Sequence, residues 1–400
     1  MENSKLISLK TPCFVLNEGT VSNLIEEFKR SINEHFPKNI VGYSFKTNNL
    51  PWIISYMKKQ GFYAETVSSD EYDLAKELGY ENERIIFNGP VKGKDCFLNA
   101  VKGGSVVNID SKRELQWLSE CDPNEIKAAK IGLRVNFCIE DYCPGESQCG
   151  AEDGRFGFSY ESGELEESIC FLRDRNVKLS GLHMHCSSKT RSLNIYSAIS
   201  KVAVEIAEKY SLELDYLDIG GGFFGGVAGK PSFDDYFKTV KKELSKSRKF
   251  DDITIIAEPG MSIIGASMDY VCTVVDKKKT QNNSFAVLDG SRLHVDPFLK
   301  KSSFFYEIVN IKEKDGSENE DGVILSGFTC MEADRFLRLS SGSINVGDLV
   351  KFKKVGAYTI CLMSQFISFY PNVYVMFKNG TAKIIREKNT AKDYCKNNNV

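Results

Sequence analysis

Residues 42–48 read Gly-Tyr-Ser-Phe-Lys-Thr-Asn. A short apolar run ends in a lone lysine, Lys46, and a polar Thr-Asn-Asn turn follows. The pattern predicts a buried strand that delivers one amine to its C-terminal end. Buried lysines are rare unless they are paired or chemically used. Desolvation lowers a lysine's pKa and makes the amine a nucleophile able to form a Schiff base with an aldehyde. The plainer alternative is a lysine whose stem is covered while its head reaches solvent. The stretch alone does not separate the two.

Outward from it, apolar runs recur at 41–46, 61–67, 84–88, 105–109, 131–137, 179–185, 214–219 and 253–257. Most are separated by segments of helical spacing, such as Asp70–Leu78 and Leu193–Tyr210, and residues 20–35 share that spacing. Strand-helix alternation predicts a parallel sheet. Eight units in about 230 residues fit a (β/α)8 barrel of the TIM type better than an open doubly wound sheet, which periodicity does not exclude. After residue 265 the segments Tyr270–Val275, Phe285–Leu288, Glu307–Ile311, Val323–Ser326, Leu349–Lys353 and Val373–Phe377 read as strands. The expected division is a barrel over 17–265 and a β-domain, sandwich or barrel, over 266–400. The strand expected at 11–16 joins the β-domain. The polar tail from Glu387 is expected to fray.

Composition narrows the partners. The 400 residues are 42% hydrophobic and 26% charged, with a formal net charge of -2. Neither nucleic acid nor an anionic membrane is expected. Met1–Lys5 lacks a signal-peptide pattern and no apolar run is long enough to span a bilayer, so the expected location is cytoplasmic. Twelve cysteines are scattered without a Cys-x-x-Cys pair, and four histidines are available, so no metal site is expected. Cys138, Cys143 and Cys149 cluster in a Glu/Asp/Gly-rich loop over 138–153, open to a metal, a disulfide or, the reading preferred, free thiols.

The C-terminal ends of barrel strands are where such folds hold their chemistry. The first run ends at Lys46, the sixth carries His183 and His185 with Ser187-Ser188, the seventh ends in Gly220-Gly221-Gly222, and the eighth in Glu258-Pro259-Gly260. Glycines after the seventh strand let backbone N–H groups approach an anion, though a Gly-rich turn is commonly just a turn. His185 is either a satisfied core histidine or an imidazole stacked on an aromatic ring. Glu258 either starts a turn or faces a pyridine nitrogen and keeps it protonated. A reactive lysine, a phosphate cradle, a stacking ring and a carboxylate together point to pyridoxal phosphate.

The chain resembles the ornithine/diaminopimelate/arginine decarboxylase family over nearly its whole length. Tyr43–Asn48 is similar to that family's cofactor-lysine motif, Gly181–Ser188 to its stacking-histidine and phosphate-serine motif, and Leu217–Phe223 to its glycine loop. Glu258-Pro259-Gly260 resembles the segment whose glutamate faces the pyridine nitrogen. Gly327-Phe328-Thr329-Cys330 resembles its catalytic-cysteine motif, and Gly356-Ala357-Tyr358-Thr359 the segment of its phosphate-contacting tyrosine. The resemblance implies a pyridoxal-phosphate decarboxylase of an α-amino acid or an amino-acid conjugate. It also implies a homodimer in which Cys330 reaches the partner's lysine, and catalytic roles for Lys46, Cys330 and His185. Ser188, Gly220, Gly221, Gly222, Glu258, Gly260 and Tyr358 are implied to hold the cofactor.

Three departures bear on substrate. Met261 stands where the family usually has arginine after Glu-Pro-Gly, Met331 where many members have an acid after the cysteine, and Asp296-Pro297 where diaminopimelate decarboxylases have an arginine before proline. Their loss makes diaminopimelate an unexpected substrate. Asp296, Met331, Glu332 and Asp334 are the expected substrate-facing positions, the acids greeting an amine. His294-Val295-Asp296 faintly resembles carboxynorspermidine decarboxylases. Two alternatives remain: a racemase using Lys46 and a tyrosine as opposed bases, against which Glu258 speaks, and an inactive regulatory homologue, against which the retained lysine and phosphate contacts speak.

Overall fold

The computed structural model describes residues 6–122, 124–126, 128–150, 152, 154–311, 322–340 and 343–396. Met1–Lys5, read above for a leader, and two positions of the 138–153 loop, 151 and 153, lie outside the described residues. The chain divides into two compact units, Met1–Asn23 with Ile263–Val400, and Leu24–Ser262.

In the second unit eight parallel strands form a closed ring: Asn39–Ser44, Tyr63–Thr66, Ile85–Phe87, Val106–Ile109, Lys130–Asn136, Gly181–His183, Tyr216–Asp218 and Thr254–Ala257. Each pairs with the next, and the eighth pairs back onto the first through Ile255–Ala257 against Asn39–Val41. The barrel expected from the alternation is the fold observed. All eight apolar runs fall on these strands, because a strand covered on both faces reads as a near-continuous apolar run. Helices start where the sequence supplies caps. Ser68 accepts from the Glu71 amide before Ser69–Glu77, and Ser232 forms a capping box with Asp235 before Phe233–Leu244. Leu193–Lys209 is capped by Ser192.

The barrel interior is filled from one side by Tyr216, which is 2% exposed. Its ring lies where a Cβ on Gly181 or on Gly132 would have to sit. Its hydroxyl donates to Asn108 Oδ1 at 2.8 Å, above which the polar groups of the site begin.

The first unit is a nine-stranded sheet built on the twelve-residue strand Met268–Lys279. Cys13–Asn17 pairs antiparallel with that strand and parallel with Asn372–Met376, so the N-terminal strand is an interior member of this sheet, as expected. Leu6, Cys13, Val15, Val271, Val309, Leu349 and Met376 form its core. Two strands were not anticipated, Arg335–Arg338 and Ala382–Arg386, whose basic residues mask their alternation. In the tail, Ala391–Lys396 is a short exposed helix, and residues 397–400 lie outside the described residues. Among the described residues, no helix is long and apolar enough to cross a membrane.

Because Gly181 and Gly132 leave the volume Tyr216 occupies, Gly181→Ala should destabilise the protein by about 1–3 kcal/mol through overpacking. Urea unfolding measures it, and an unchanged midpoint would show that the ring moves freely.

Candidate active site

Every barrel strand delivers at least one polar side chain to the C-terminal mouth. The first strand stops at Ser44, and a 3-10 turn, Phe45–Thr47, carries Lys46 outward. Lys46 is therefore not the deeply buried amine the sequence suggested: its side chain is 40% exposed, and its Nζ donates to Glu65 Oε2 at 2.7 Å. Glu65, near the end of the second strand, is fully buried. Asn88 follows the third strand and bridges two acids, donating to Glu65 Oε1 at 3.0 Å and Glu258 Oε1 at 2.6 Å. Asn108, on the fourth, donates to Asn88 Oδ1 at 2.8 Å and Asp218 Oδ2 at 3.0 Å. Arg134, on the fifth, donates to Asp110 at 3.2 Å and to the His185 carbonyl at 3.3 Å. These groups surround a cavity of about 290 Å³ whose wall includes Lys46, Glu65, Asn88, Arg134, His183, His185 and Glu258.

The charges in this cluster are set by burial and by one another. Burial alone would push the Glu65 carboxyl up. The Lys46 ammonium and hydrogen bonds from Lys46, Ser44 and Asn88 outweigh it, and the carboxyl lies below its ordinary value. Glu258 goes the other way: burial, then the charges of Asp218 and Glu65, lift it well above. Asp218, hydrogen-bonded to Glu258, is pushed up by burial to about 7. The pair thus keeps a shared proton at neutral pH, on the Glu258 side. Burial first, and the Arg134 cation second, drive His185 down to about 3 and His183 well below its ordinary value. Both imidazoles are neutral, and their planes lie 15° apart.

The glycines form a second feature. Gly220 and Gly222 have φ of +67° and +97°, conformations that favour glycine. A Cβ on Gly221 would stand 2.5 Å from the Glu258 carbonyl oxygen, and one on Gly222 would stand 3.1 Å from Ser188 Oγ. Gly260 packs against the lysine turn, where a Cβ would meet Thr47 Oγ1 at 2.7 Å. The structure thus brings Lys46, His185, Ser188, Gly220, Gly221, Gly222, Glu258 and Gly260 into one mouth. Both nitrogens of His183 and the hydroxyl of Ser262 are buried without a hydrogen-bond partner. A glycine cradle, an exposed amine, a protonated acid pair and orphaned polar atoms in the barrel fit a pyridoxal phosphate.

Glu65, Asn88, Asn108, Arg134, His183 and Asp218 were not among the expected site residues. The only signal was a polar residue at an inward position of a short apolar run. The loop 138–153 contributes Gln148 to the cavity wall, and Arg155 and Phe156, just beyond it, line the cavity too. Glu146 anchors the loop by accepting from Thr190 Oγ1 at 2.6 Å, from Ser192 Oγ and from Asn194 at 3.3 Å. Cys138, Cys143 and Cys149 are all free thiols, of which only Cys143 is buried.

The remaining expected residues lie on the first unit. Cys330 is exposed, beside Met331 and Glu332 in a pocket of about 310 Å³. Tyr358 takes φ +55° and is 39% exposed. Asp296 and Asp334 were expected to greet a substrate amine, but their carboxylates are turned to the protein. Asp296 pairs with Arg292 at 2.7 Å and accepts from the Lys300 and Lys301 amides. Asp334 accepts from the Arg292 amide at 2.7 Å and from Thr329 Oγ1 at 2.7 Å. Both are buried loop organisers: Asp296 bonds to residues four and five positions away, while Asp334 also reaches the Arg292 amide, 42 residues away. Glu332 is exposed and pairs with Arg335.

Comparison with known proteins gives the family. Residues 22–265 match the family described as pyridoxal-dependent decarboxylase, pyridoxal binding domain. A diaminopimelate decarboxylase of Archaeoglobus fulgidus is 27% identical over 393 residues, covering 96% of this chain and 91% of that protein. Another, of Aquifex aeolicus, is 26% identical, covering 94% and 89%. In fold, a crystal structure of the Methanocaldococcus jannaschii diaminopimelate decarboxylase superposes with a TM-score of 0.84 at 24% identity, covering 98% of this chain and 93% of that one. The Paramecium bursaria Chlorella virus arginine decarboxylase gives 0.76 at 23%, covering 94% and 98%. Relatives of these names give no support to the exclusion of diaminopimelate drawn from sequence. With more than half of its length matched and a barrel mouth built to hold the cofactor, the chain belongs to the pyridoxal-dependent decarboxylase family.

Proposed function

We propose that this enzyme removes CO2 from an α-amino acid at the barrel mouth, with Lys46 as the amine that engages the cofactor. The observation that carries the reading is the Lys46–Glu65 pair at 2.7 Å, joined through Asn88 to Glu258. Pyridoxal phosphate supplies an aldehyde carbon and an electron-accepting ring. Glu65 can receive the proton Lys46 must lose before its nitrogen is nucleophilic. Glu258, sharing a proton with Asp218, would face the pyridine nitrogen and keep a proton there. Neutral His185 covers a ring face without adding a charge. The N–H groups of Gly220–Gly222 and the Ser188 hydroxyl would take the phosphate, and Gly260 lets the eighth strand's turn close on the lysine turn.

Cys330 returns a proton to the α-carbon, and in the homodimer that the resemblance implies it serves the site of the partner subunit. The names of the relatives put diaminopimelate first among the substrates to be tested, with arginine, ornithine and lysine beside it. Met331 and Glu332, exposed beside Cys330, are the positions offered to the substrate's far end.

Lys46→Ala should abolish the visible Schiff-base absorption and lower CO2 release at least roughly a thousandfold. A retained band with unchanged turnover would refute the lysine's role, and failure of every amino acid in the panel with cofactor bound would refute the activity. Mixing Lys46→Ala with Cys330→Ala protein should restore roughly a quarter of the native sites if two subunits share them. No recovery, with subunit exchange verified, would place both groups in one chain. Asp218 has a folded pKa above its unfolded value of 3.8, so its contribution is complete below that value and is lost as pH rises towards about 7. The cofactor-free protein should therefore lose stability relative to Asp218→Asn between pH 4 and 7. Parallel urea midpoints across that range would contradict the shared-proton pair.

A further inference from the structure

The loop after the sixth strand carries a guanidinium that none of the above uses. Arg191 takes φ +55°, sparsely populated for a side chain of this kind. Its carbonyl accepts from the Tyr236 hydroxyl at 2.6 Å, and the same hydroxyl accepts from the Phe224 amide at 3.2 Å. One phenol thus holds both the loop and the end of the glycine segment. The half-buried Arg191 side chain lies over the Phe224 ring, 3.9 Å from Cζ to centroid. Its Nη1 ends 3.4 Å from the Met261 sulfur, a weak acceptor. No carboxylate among the described residues forms an ion pair with it. Burial lowers its pKa, as expected of a cation taken from water without an anion in exchange.

Two further observations bear on the same place. Ser262, which follows Met261, is 3% exposed and its Oγ has no hydrogen-bond partner. The backbone of Gly225 packs on the Ser262 carbonyl so closely that a Cβ would overlap it. The Gly220–Gly225 segment and the Gly260–Ser262 turn are therefore in contact, and Arg191 touches both, at Phe224 and at Met261. Met261 is the position where the family resembled usually has arginine.

We propose that Arg191 is a phosphate-binding residue, supplying from the loop after the sixth strand the guanidinium that Met261 does not provide. The inference rests on the reading of Gly220–Gly222 as the phosphate cradle. A half-buried guanidinium with its donors free of carboxylates matches phosphate geometry and charge. The rival anion, a substrate carboxylate, is separated by experiment.

Cofactor-free protein is titrated with pyridoxal phosphate and, separately, with pyridoxal, which lacks the phosphate. Arg191→Met should weaken pyridoxal phosphate at least roughly tenfold and leave pyridoxal unchanged. It should also lessen competition by inorganic phosphate, while the amino-acid KM at saturating cofactor holds. Arg191→Met with Met261→Arg should recover most of the affinity, and Arg191→Lys, the milder variant should Arg191→Met fold poorly, should lose only part. Unchanged pyridoxal phosphate affinity would overturn the inference. Equal weakening of both ligands would mark a structural role, and a raised KM alone would mark the substrate's carboxylate; either overturns it. Gly222→Ala separates the underlying reading: if it too leaves pyridoxal phosphate binding intact, the cradle itself is misplaced, whereas if it weakens binding and Arg191→Met does not, only the arginine's role fails.

Discussion

Three carboxylates, Glu65, Asp218 and Glu258, are fully buried at the centre of the barrel mouth, and the cation paired with them is Lys46. Such a cluster is unfavourable unless protons, hydrogen bonds and charges are arranged around it. Asn88 and Asn108 do the arranging. Asn88 gives its two amide protons to two different acids and its oxygen to Asn108, and Asn108 in turn holds Asp218 and takes the Tyr216 hydroxyl. The result divides one cluster into two chemical ends. At the lysine end the acid is ionised, and at the far end two acids share a proton. The ionised Glu65 favours the ammonium form of Lys46 and is the group placed to take its proton, while the far end keeps a proton on the acid pair.

The glycine turn depends on the same region. Glu258 is bracketed by backbone: its amide donates to the Gly220 carbonyl at 2.8 Å, and its own carbonyl abuts Gly221. Any shift of the eighth strand that moved the carboxylate would also move the cradle. On the proposed reading, phosphate grip and ring-nitrogen contact would be set by one local geometry.

The barrel and the strand-end motifs were legible because both rest on local chemistry: apolar runs of strand length, and glycine or lysine where the runs stop. The residues that polarise the site were not. Glu65, Asn88 and Asn108 are single polar residues in short runs, and nothing local says that the second, third and fourth strands stand side by side with their ends aimed at one point. Asp296 and Asp334 erred in the opposite direction. Each looked like an unpaired acid near a site, while Arg292, which one pairs with and whose amide the other holds, was ordinary in the sequence. Lys46 was placed correctly along the chain and wrongly in depth, because a 3-10 turn and a strand end share the same residue types.

Among the described residues, the buried side-chain polar atoms of the barrel unit that lack a partner belong to Arg134, His183 and Ser262. His183 has two orphaned nitrogens, Ser262 an orphaned hydroxyl, and Arg191 a guanidinium resting on a thioether. Each is a small penalty in the empty protein and a partner for a ligand that brings a phosphate and a polar ring. A site assembled this way binds by relief of local frustration as much as by new contact. Binding to the folded state alone then stabilises the chain in proportion to the logarithm of ligand concentration over its dissociation constant. The barrel mouth, rather than the aromatic interior beneath it, is therefore where cofactor occupancy and the stability of this enzyme are joined.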